Sequence, residues 1–395
     1  MAGIGVGRRV ALPVITSAAL TLACAIAGCG APNPAASRPG TLVSKHTVTS
    51  RPVATLGLTA AGQPRYFAGI VRASGSATGA GPVQIRHSVT GALAPRQPGT
   101  YALAIAAYDG GSRLLIAQQA GDACASRLYR ATLSGRGVLG SLSRIGPRLH
   151  GLVWSLAADT DGKIVGTTVA GCEKGQAGYL AVIHIRTGSV RRWGSVNLGG
   201  TGGGLTLGFG LSMSANGRLL AFTGEATSTA GTNTGQRVWV LRTAAPAGTL
   251  AQRSRVVLSR PNSGPALSSV VLSPDGRSFY LCTVSTKGTV SAHKTVTQTA
   301  VITARQTSDG ASTNRLAKLT ATGVTFQGFG CPTALTPNGR YLLAPYQLRY
   351  GKNTMVPPLV RAAVIRTTSH ARRSISFRLL GSGRMSVADG ITVAW

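Results

Sequence analysis

One short phrase recurs along the chain: an apolar run, then Asp or Asn followed by Gly, then a second apolar or β-branched run. It is plainest at "MSANGRLLAF" (Met213 to Phe222), "LSPDGRSFYL" (Leu272 to Leu281) and "LTPNGRYLLA" (Leu335 to Ala344). Looser copies surround Gly62, Gly110 and Gly162, so that Gly62, Gly110, Gly162, Gly217, Gly276 and Gly339 follow one another at intervals of 48 to 63 residues. Asp/Asn-Gly between apolar runs is a tight-hairpin signal. A period near fifty residues indicates units that bury their apolar faces against their neighbours, as in a propeller or a stacked array.

Each unit carries two further runs. After a variable loop comes a third, "RLYRATLSG", "GYLAVIHIRTG", "QRVWVLRTA", "TAVITARQTSDG" or "RAAVIRTT", and then a weaker fourth such as "VRRWGSVNL" or "SISFRLL". Four antiparallel strands per unit make one propeller blade. The reading is therefore an all-β chain folded as a six-bladed β-propeller of four-stranded antiparallel blades. The C-terminal "GITVAW" is an orphan strand expected to pair with the first blade and close the ring, which removes open sheet edges. Seven blades is the alternative, if "MSVADGITVAW" and residues 41–60 form a split blade of their own.

The three plain copies of the phrase resemble the WD40-like repeat of TolB-type propellers. The resemblance extends from about residue 50 to the end, and it implies architecture while leaving activity open. The Gly-His and Trp-Asp signature of true WD40 repeats is missing.

The first nine residues, "MAGIGVGRR", are basic, Val10 to Gly28 is apolar, and "IAGC" ends at Cys29. This is the layout of an export signal. The small residues before the cysteine resemble a bacterial lipobox, which implies cleavage of residues 1–28 and lipidation of Cys29. The alternatives are an uncleaved anchor and plain secretion, and all three place the domain outside the cytoplasm. Residues 29–50, rich in Pro, Ser and Thr, read as a tether, and residues 51–395 as the propeller. Cys124, Cys172, Cys282 and Cys331 lie in a compartment that permits disulfides. Loops after second strands and the connections between blades share one face, so Cys124 is expected to pair with Cys172, and Cys282 with Cys331, each pair joining neighbouring blades.

Charge is lopsided: 41 Lys and Arg, 34 of them Arg, against 9 Asp and Glu. Such a field favours anionic partners, meaning wall polymer or lipid headgroups outside a cell, with no specific nucleic acid. It also disfavours carboxylate catalysis. Asp109, Asp161 and Asp275 occupy the repeated turns, where a local backbone hydrogen bond explains them. Asp159 and Asp161 lack the later carboxylates of a calcium loop. His46, His87, His150, His184, His293 and His370 show no metal-ligand spacing, no G-x-S-x-G elbow exists, and "NLGGTGGGLTLGFG" reads as an inter-blade loop. No catalytic, metal or cofactor residue is therefore assigned.

Two binding candidates remain. The long connections around 224–236, 284–299 and 347–358, with His293, Tyr346 and Tyr350, are where a rigid scaffold puts recognition. Arg186, Arg242, Arg305 and Arg366 recur at the ends of third strands and would form part of a positive ring on the opposite face. The leading reading is a non-catalytic module that binds an envelope protein while tethered to the membrane by lipid. The alternatives are a polyanion or wall-polymer binder and a lyase or hydrolase working in the central channel.

Overall fold

The computed structural model describes residues 63–71, 80–121, 124–172, 178–197, 204–227, 233–261, 263–287, 296–323, 334–349, 359–369, 371–378 and 391–394. The chain divides into Met1–Ala54 and Thr55–Trp395, and all described residues belong to the second unit. The signal segment, Cys29, Gly62, His293, Cys331 and Tyr350 lie outside the described residues, as does the side chain of Tyr346.

Six antiparallel blades form the propeller. From the innermost strand outward, blade 2 is Ala104–Tyr108, Arg113–Gln119, Ala125–Thr132 and Ser143–His150. Blade 3 is Leu152–Ala158, Ile164–Ala170, Gly178–His184 and Ser189–Asn197. Blade 4 is Gly204–Met213, Leu219–Thr227, Asn233–Arg242 and Ser254–Arg260. Blade 5 is Ala266–Leu272, Ser278–Lys287, Val296–Gln306 and Ser312–Gly323. Blade 6 is Ala334–Leu335, Tyr341–Arg349, Leu359–Arg366 and Arg372–Arg378.

Blade 1 is composite. Its innermost strand is the C-terminal Ile391–Ala394, followed by Tyr66–Val71, Gly81–His87 and Tyr101–Ala102. Val71 pairs with Ile391 and Ala68 with Ala394, so the orphan strand closes the ring as its sequence implied. Because that strand completes blade 1, no seventh blade arises from it.

Strand alternation builds the core between blades. On Arg113–Gln119, Leu115 and Ala117 pack with Val165 and Ile183 of blade 3, while Leu114 and Ile116 pack with Ile70 and Ile85 of blade 1. Each such residue is removed from water only because a neighbouring blade covers it, and burying a Leu or Ile contributes about 1.5–3 kcal/mol. A single blade is therefore unstable alone.

Two features depart from the expected plan. The glycine-rich segment read as a loop is a strand from Gly204 onward, because a glycine lacking a side chain fits where two inner strands approach. A Cβ on Gly210 would meet the backbone of Ser269 and Val270 at 2.7–2.9 Å. Blades 3 and 4 also fuse into one sheet through a short parallel pairing of Val196 with Leu205 and Asn197 with Thr206. The connection after the third strand of blade 4 reinforces that junction. Its Gly248–Thr249 pairs beside Trp193 and Gly194, Leu250 is buried, and the buried Trp193 indole donates to the Pro246 carbonyl at 3.0 Å.

Candidate functional site

The hairpins between first and second strands, together with the turns between third and fourth, make up one face of the ring. In blades 4, 5 and 6 the hairpin is a hydrogen-bonded unit. Ser214, Ser273 and Thr336 each accept a bond from the backbone N–H five residues on, at 3.0 Å. Asn216, Asp275 and Asn338 each accept from the N–H two residues on, at 3.0–3.1 Å. The hydroxyls in turn donate to those same carboxyl or amide oxygens. The Ser273 bond holds the Asp275 carboxyl below the ordinary carboxylate range. In blade 3 Asp159 takes the first position, accepting from Ile164 N–H at 3.1 Å, and its burial raises its pKa.

These turns interlock around the ring. Asp109 N–H donates to Thr160 O, Thr160 N–H to Ala215 O, and Ala215 N–H to Pro274 O, each at 2.9 Å. The series stops at Pro274, which has no N–H to pass on. In blades 3 to 6 each turn glycine has φ between +66 and +72° and sits against the preceding blade: Gly162 on the Tyr108 ring, Gly217 on Ile164, Gly276 on Leu219 and Gly339 on Pro274. Positive φ and the close approach both call for glycine, which is why the phrase repeats.

A second pattern recurs in all six blades. The first residue past each third strand donates its N–H to the carbonyl of the residue just before the second strand: Ser88 to Arg65, Leu133 to Ser112, Ile185 to Lys163, Thr243 to Arg218, Thr307 to Arg277 and Thr367 to Arg340, at 2.7–3.0 Å. The six acceptor residues are structurally equivalent and all exposed, and five of them are cations. Lys163 lies 2.6 Å from Asp161, and Arg277 stands near Asp275.

This register corrects the expected arginine ring. Arg242 and Arg366 are equivalent, each the last residue of its third strand, opposite Leu219 and Tyr341. Arg305 comes one residue earlier, opposite Phe279, because Gln306 pairs with Ser278. A shift of one residue turns a strand side chain to the other side of its sheet. Arg305 is accordingly half-buried, donating to Gly310 O at 2.6 Å and Thr303 Oγ1 at 3.3 Å, and burial lowers its pKa. Arg186 comes two residues later than the Arg242 position, exposed in the turn beyond. What recurs in "LRT" at 241–243 and "IRT" at 365–367 is the threonine: Thr243 and Thr367 Oγ1 donate to Gly217 and Gly339 carbonyls at 2.7 Å.

Other arginines tie blade to blade. Arg191 of blade 3 reaches the Thr243 carbonyl of blade 4 at 2.7 Å, Arg255 of blade 4 reaches Thr307 and Ser308 of blade 5 at 2.5–2.6 Å, and Arg373 of blade 6 reaches Ser88 of blade 1 at 3.0 Å. Each lies early in its outer strand. Part of the arginine excess therefore has a structural role that no sequence pattern announced.

The opposite face carries the connections between second and third strands. In blades 3 to 6 the second strand starts two residues past its turn glycine, so any extra length falls at this loop face. The strand is 7 residues long in blade 3 but 9, 10 and 9 in blades 4, 5 and 6. At about 3.3 Å per residue, those three hairpins extend roughly 7–10 Å farther. Across blades 2 and 3 the low side is stapled by the Cys124–Cys172 disulfide, Cα to Cα 5.7 Å, as the topology predicted. Cys282 is also disulfide-bonded; the partner expected for it, Cys331, is among the residues not described.

The described carboxylates are mostly engaged in turns. Asp109 pairs with Arg113 at 3.2 Å, Asp161 with Lys163, and Asp309 caps Ala311 N–H at 2.8 Å. Among the described residues, no three His, Cys, Asp or Glu side chains gather into a metal-binding group, and no helix is long and apolar enough to cross a membrane. His184 ends the third strand of blade 3, and the His150 carbonyl accepts from the Tyr179 hydroxyl at 3.0 Å. The described groups supply hydrogen bonding and positive charge.

No protein-family model matches the sequence, and a search of curated proteins finds no match. Among solved structures the chain is similar to TolB from Acinetobacter baumannii, with a TM-score of 0.48 and 12% identity over 84% of this chain; it spans 66% of that protein's length. It is also similar to Kuenenia stuttgartiensis hydrazine synthase, with a TM-score of 0.38 and 18% identity over 72% of this chain and 70% of that one. The tricorn protease aligns with a TM-score of 0.40 and 9% identity over 74% of this chain and 28% of that one. At these identities the likenesses concern the fold alone.

Proposed function

We propose that the chain is an exported propeller, held to the membrane by a lipid on Cys29, that binds a protein of the cell envelope and catalyses no reaction. The observation that carries this reading is the asymmetry of the loop face. Three hairpins project from blades 4 to 6 beside a low, disulfide-stapled side, and a stepped, rigid surface of this kind suits recognition of a folded partner. On blade 5 the described end of the projecting hairpin is polar: Thr286 and Lys287 are exposed, and Gln298 donates to Thr286 Oγ1 at 3.3 Å. Non-catalysis is supported by the use of the scarce carboxylates as turn acceptors.

The test is a pull-down after crosslinking in the native envelope, using the full chain and a variant with Thr286→Glu and Lys287→Glu. A single protein recovered with the parent and lost with the variant supports the reading. Equal recovery with both, or recovery of no protein, removes the loop face as the binding site.

A further inference from the structure

The turn face combines two independent features. The first is the set of six equivalent exposed positions occupied by Arg65, Ser112, Lys163, Arg218, Arg277 and Arg340. The second is where the chain enters the propeller. The first described residues, Gln63 to Arg65, precede the second strand of blade 1 and lie at this same face. The Ser88 hydroxyl donates to Pro64 O at 2.6 Å, and Ser88 N–H to Arg65 O at 2.9 Å. The described chain therefore begins at the turn face.

From this geometry we infer that the turn face lies against the anionic headgroups of the membrane that holds the tether. The inference rests on the export and anchoring proposed above, but not on the identity of the protein partner. A lipid on Cys29 holds the propeller near the bilayer without choosing which face turns toward it. The chain joins the propeller at the basic face, and headgroup phosphates supply the opposite charge to that face. A basic patch adds an electrostatic contribution to the membrane binding of an acylated anchor. The opposite, loop face with its projecting hairpins then faces away from the bilayer, free to meet a partner.

The ring is suited to substitution. Its recurring contribution to the fold comes from backbone carbonyls, so changing the side chains leaves those six hydrogen bonds in place; Arg65 adds an exposed side-chain contact, 3.4 Å to Gly135 O and over the Tyr66 ring. Each basic residue near an anionic membrane strengthens binding about fivefold. Replacing four of them should weaken binding about thirtyfold even if only half reach the headgroups.

The test uses the full chain carrying Cys29→Ser, so that no acyl chain contributes, with vesicles of phosphatidylcholine alone or with about one-third phosphatidylglycerol. The readout is the ratio of affinities for the two vesicle types, which cancels any insertion of the apolar N-terminal segment. A ring variant (Arg65→Gln, Arg218→Gln, Arg277→Gln, Arg340→Gln) is compared with a control that removes the same charge elsewhere on the exposed surface (Arg148→Gln, Arg315→Gln, Lys318→Gln, Arg361→Gln). The expected result is a ratio that falls about thirtyfold for the ring variant and less than about fivefold for the control, with unchanged melting of both. Equal losses overturn the inference, since net charge alone then accounts for binding. If soluble polyglycerol phosphate binds in a ring-dependent way and the vesicles do not, the ligand is a polymer and the lipid assignment is wrong. Loss of partner capture with vesicle binding intact would instead count only against the proposed protein-binding role.

Discussion

If the repeated turns lock neighbouring blades together, two glycines of nearly identical backbone conformation should differ sharply in what they tolerate. Gly110 has φ +69°, and a Cβ placed there meets nothing within 4 Å. Gly162 has φ +66°, and its Cβ would stand 2.4, 2.6 and 2.9 Å from three atoms of the Tyr108 ring. Tyr108 is 5% exposed and packed in the core between blades 2 and 3, so the ring has little room to yield. Gly110→Ala therefore carries only the left-handed backbone cost, about 1 kcal/mol. Gly162→Ala carries that cost plus overpacking, about 1–3 kcal/mol more. For a domain of this size 1 kcal/mol corresponds to roughly 2 °C in melting temperature. Thermal melts at neutral pH should place the Gly162 variant about 2–6 °C below the Gly110 variant. Equal melting temperatures would refute the interlocking of turns as a source of stability.

Three other outcomes follow from individual contacts. Trp193→Ala should destabilise the protein by about 3–5 kcal/mol, read by denaturant titration, because it empties a buried site and leaves the Pro246 carbonyl without its indole partner. A Cys124→Ala, Cys172→Ala variant should lose about 4 kcal/mol by loop-closure entropy for a separation of 48 residues, and an unchanged melting temperature would contradict the staple. Asp275→Asn should keep its turn, since Asn216 and Asn338 make the same bonds in neighbouring blades. Because the folded-state pKa of Asp275 lies below the ordinary 3.8, its stabilisation is present above that value and lost as pH falls through and below it. The variant should therefore show a flatter decline in acid melts, and an identical decline would count against the Ser273–Asp275 bond.

The sequence conveyed the blades because their inner halves obey local rules. Ser273, Asp275 and Gly276 satisfy one another within a few residues, so that turn is visible wherever the phrase occurs. The closure by Ile391–Ala394 and the Cys124–Cys172 pair followed from the ring once the blades were counted. The arginines were harder to place. Arg242 and Arg305 both sit near the end of a third strand, but they differ by one residue of register and so lie on opposite sides of the sheet. That offset is fixed by cross-strand pairing, which the phrase "ARQ" does not reveal. Arg191, Arg255 and Arg373 act across blade boundaries on carbonyls 52 to 285 residues away, in outer strands whose weak alternation gives no anchor. The same weakness concealed the Trp193 junction, where an insertion of blade 4 covers blade 3. The projection of the hairpins of blades 4 to 6 became measurable only once the turn glycines had set a common origin for the strands.

The claim that the two faces have different work, protein on one and membrane on the other, is tested most directly by photocrosslinking in the native envelope. Two full-length variants carry a photoreactive side chain, one at exposed Thr286 on the loop face and one at Ser112, the neutral member of the turn-face ring. The account predicts one discrete protein adduct from position 286, and lipid adducts without protein from position 112. A protein adduct from position 112 with none from 286 would reverse the faces, and no protein adduct from either position would contradict the proposed binding role.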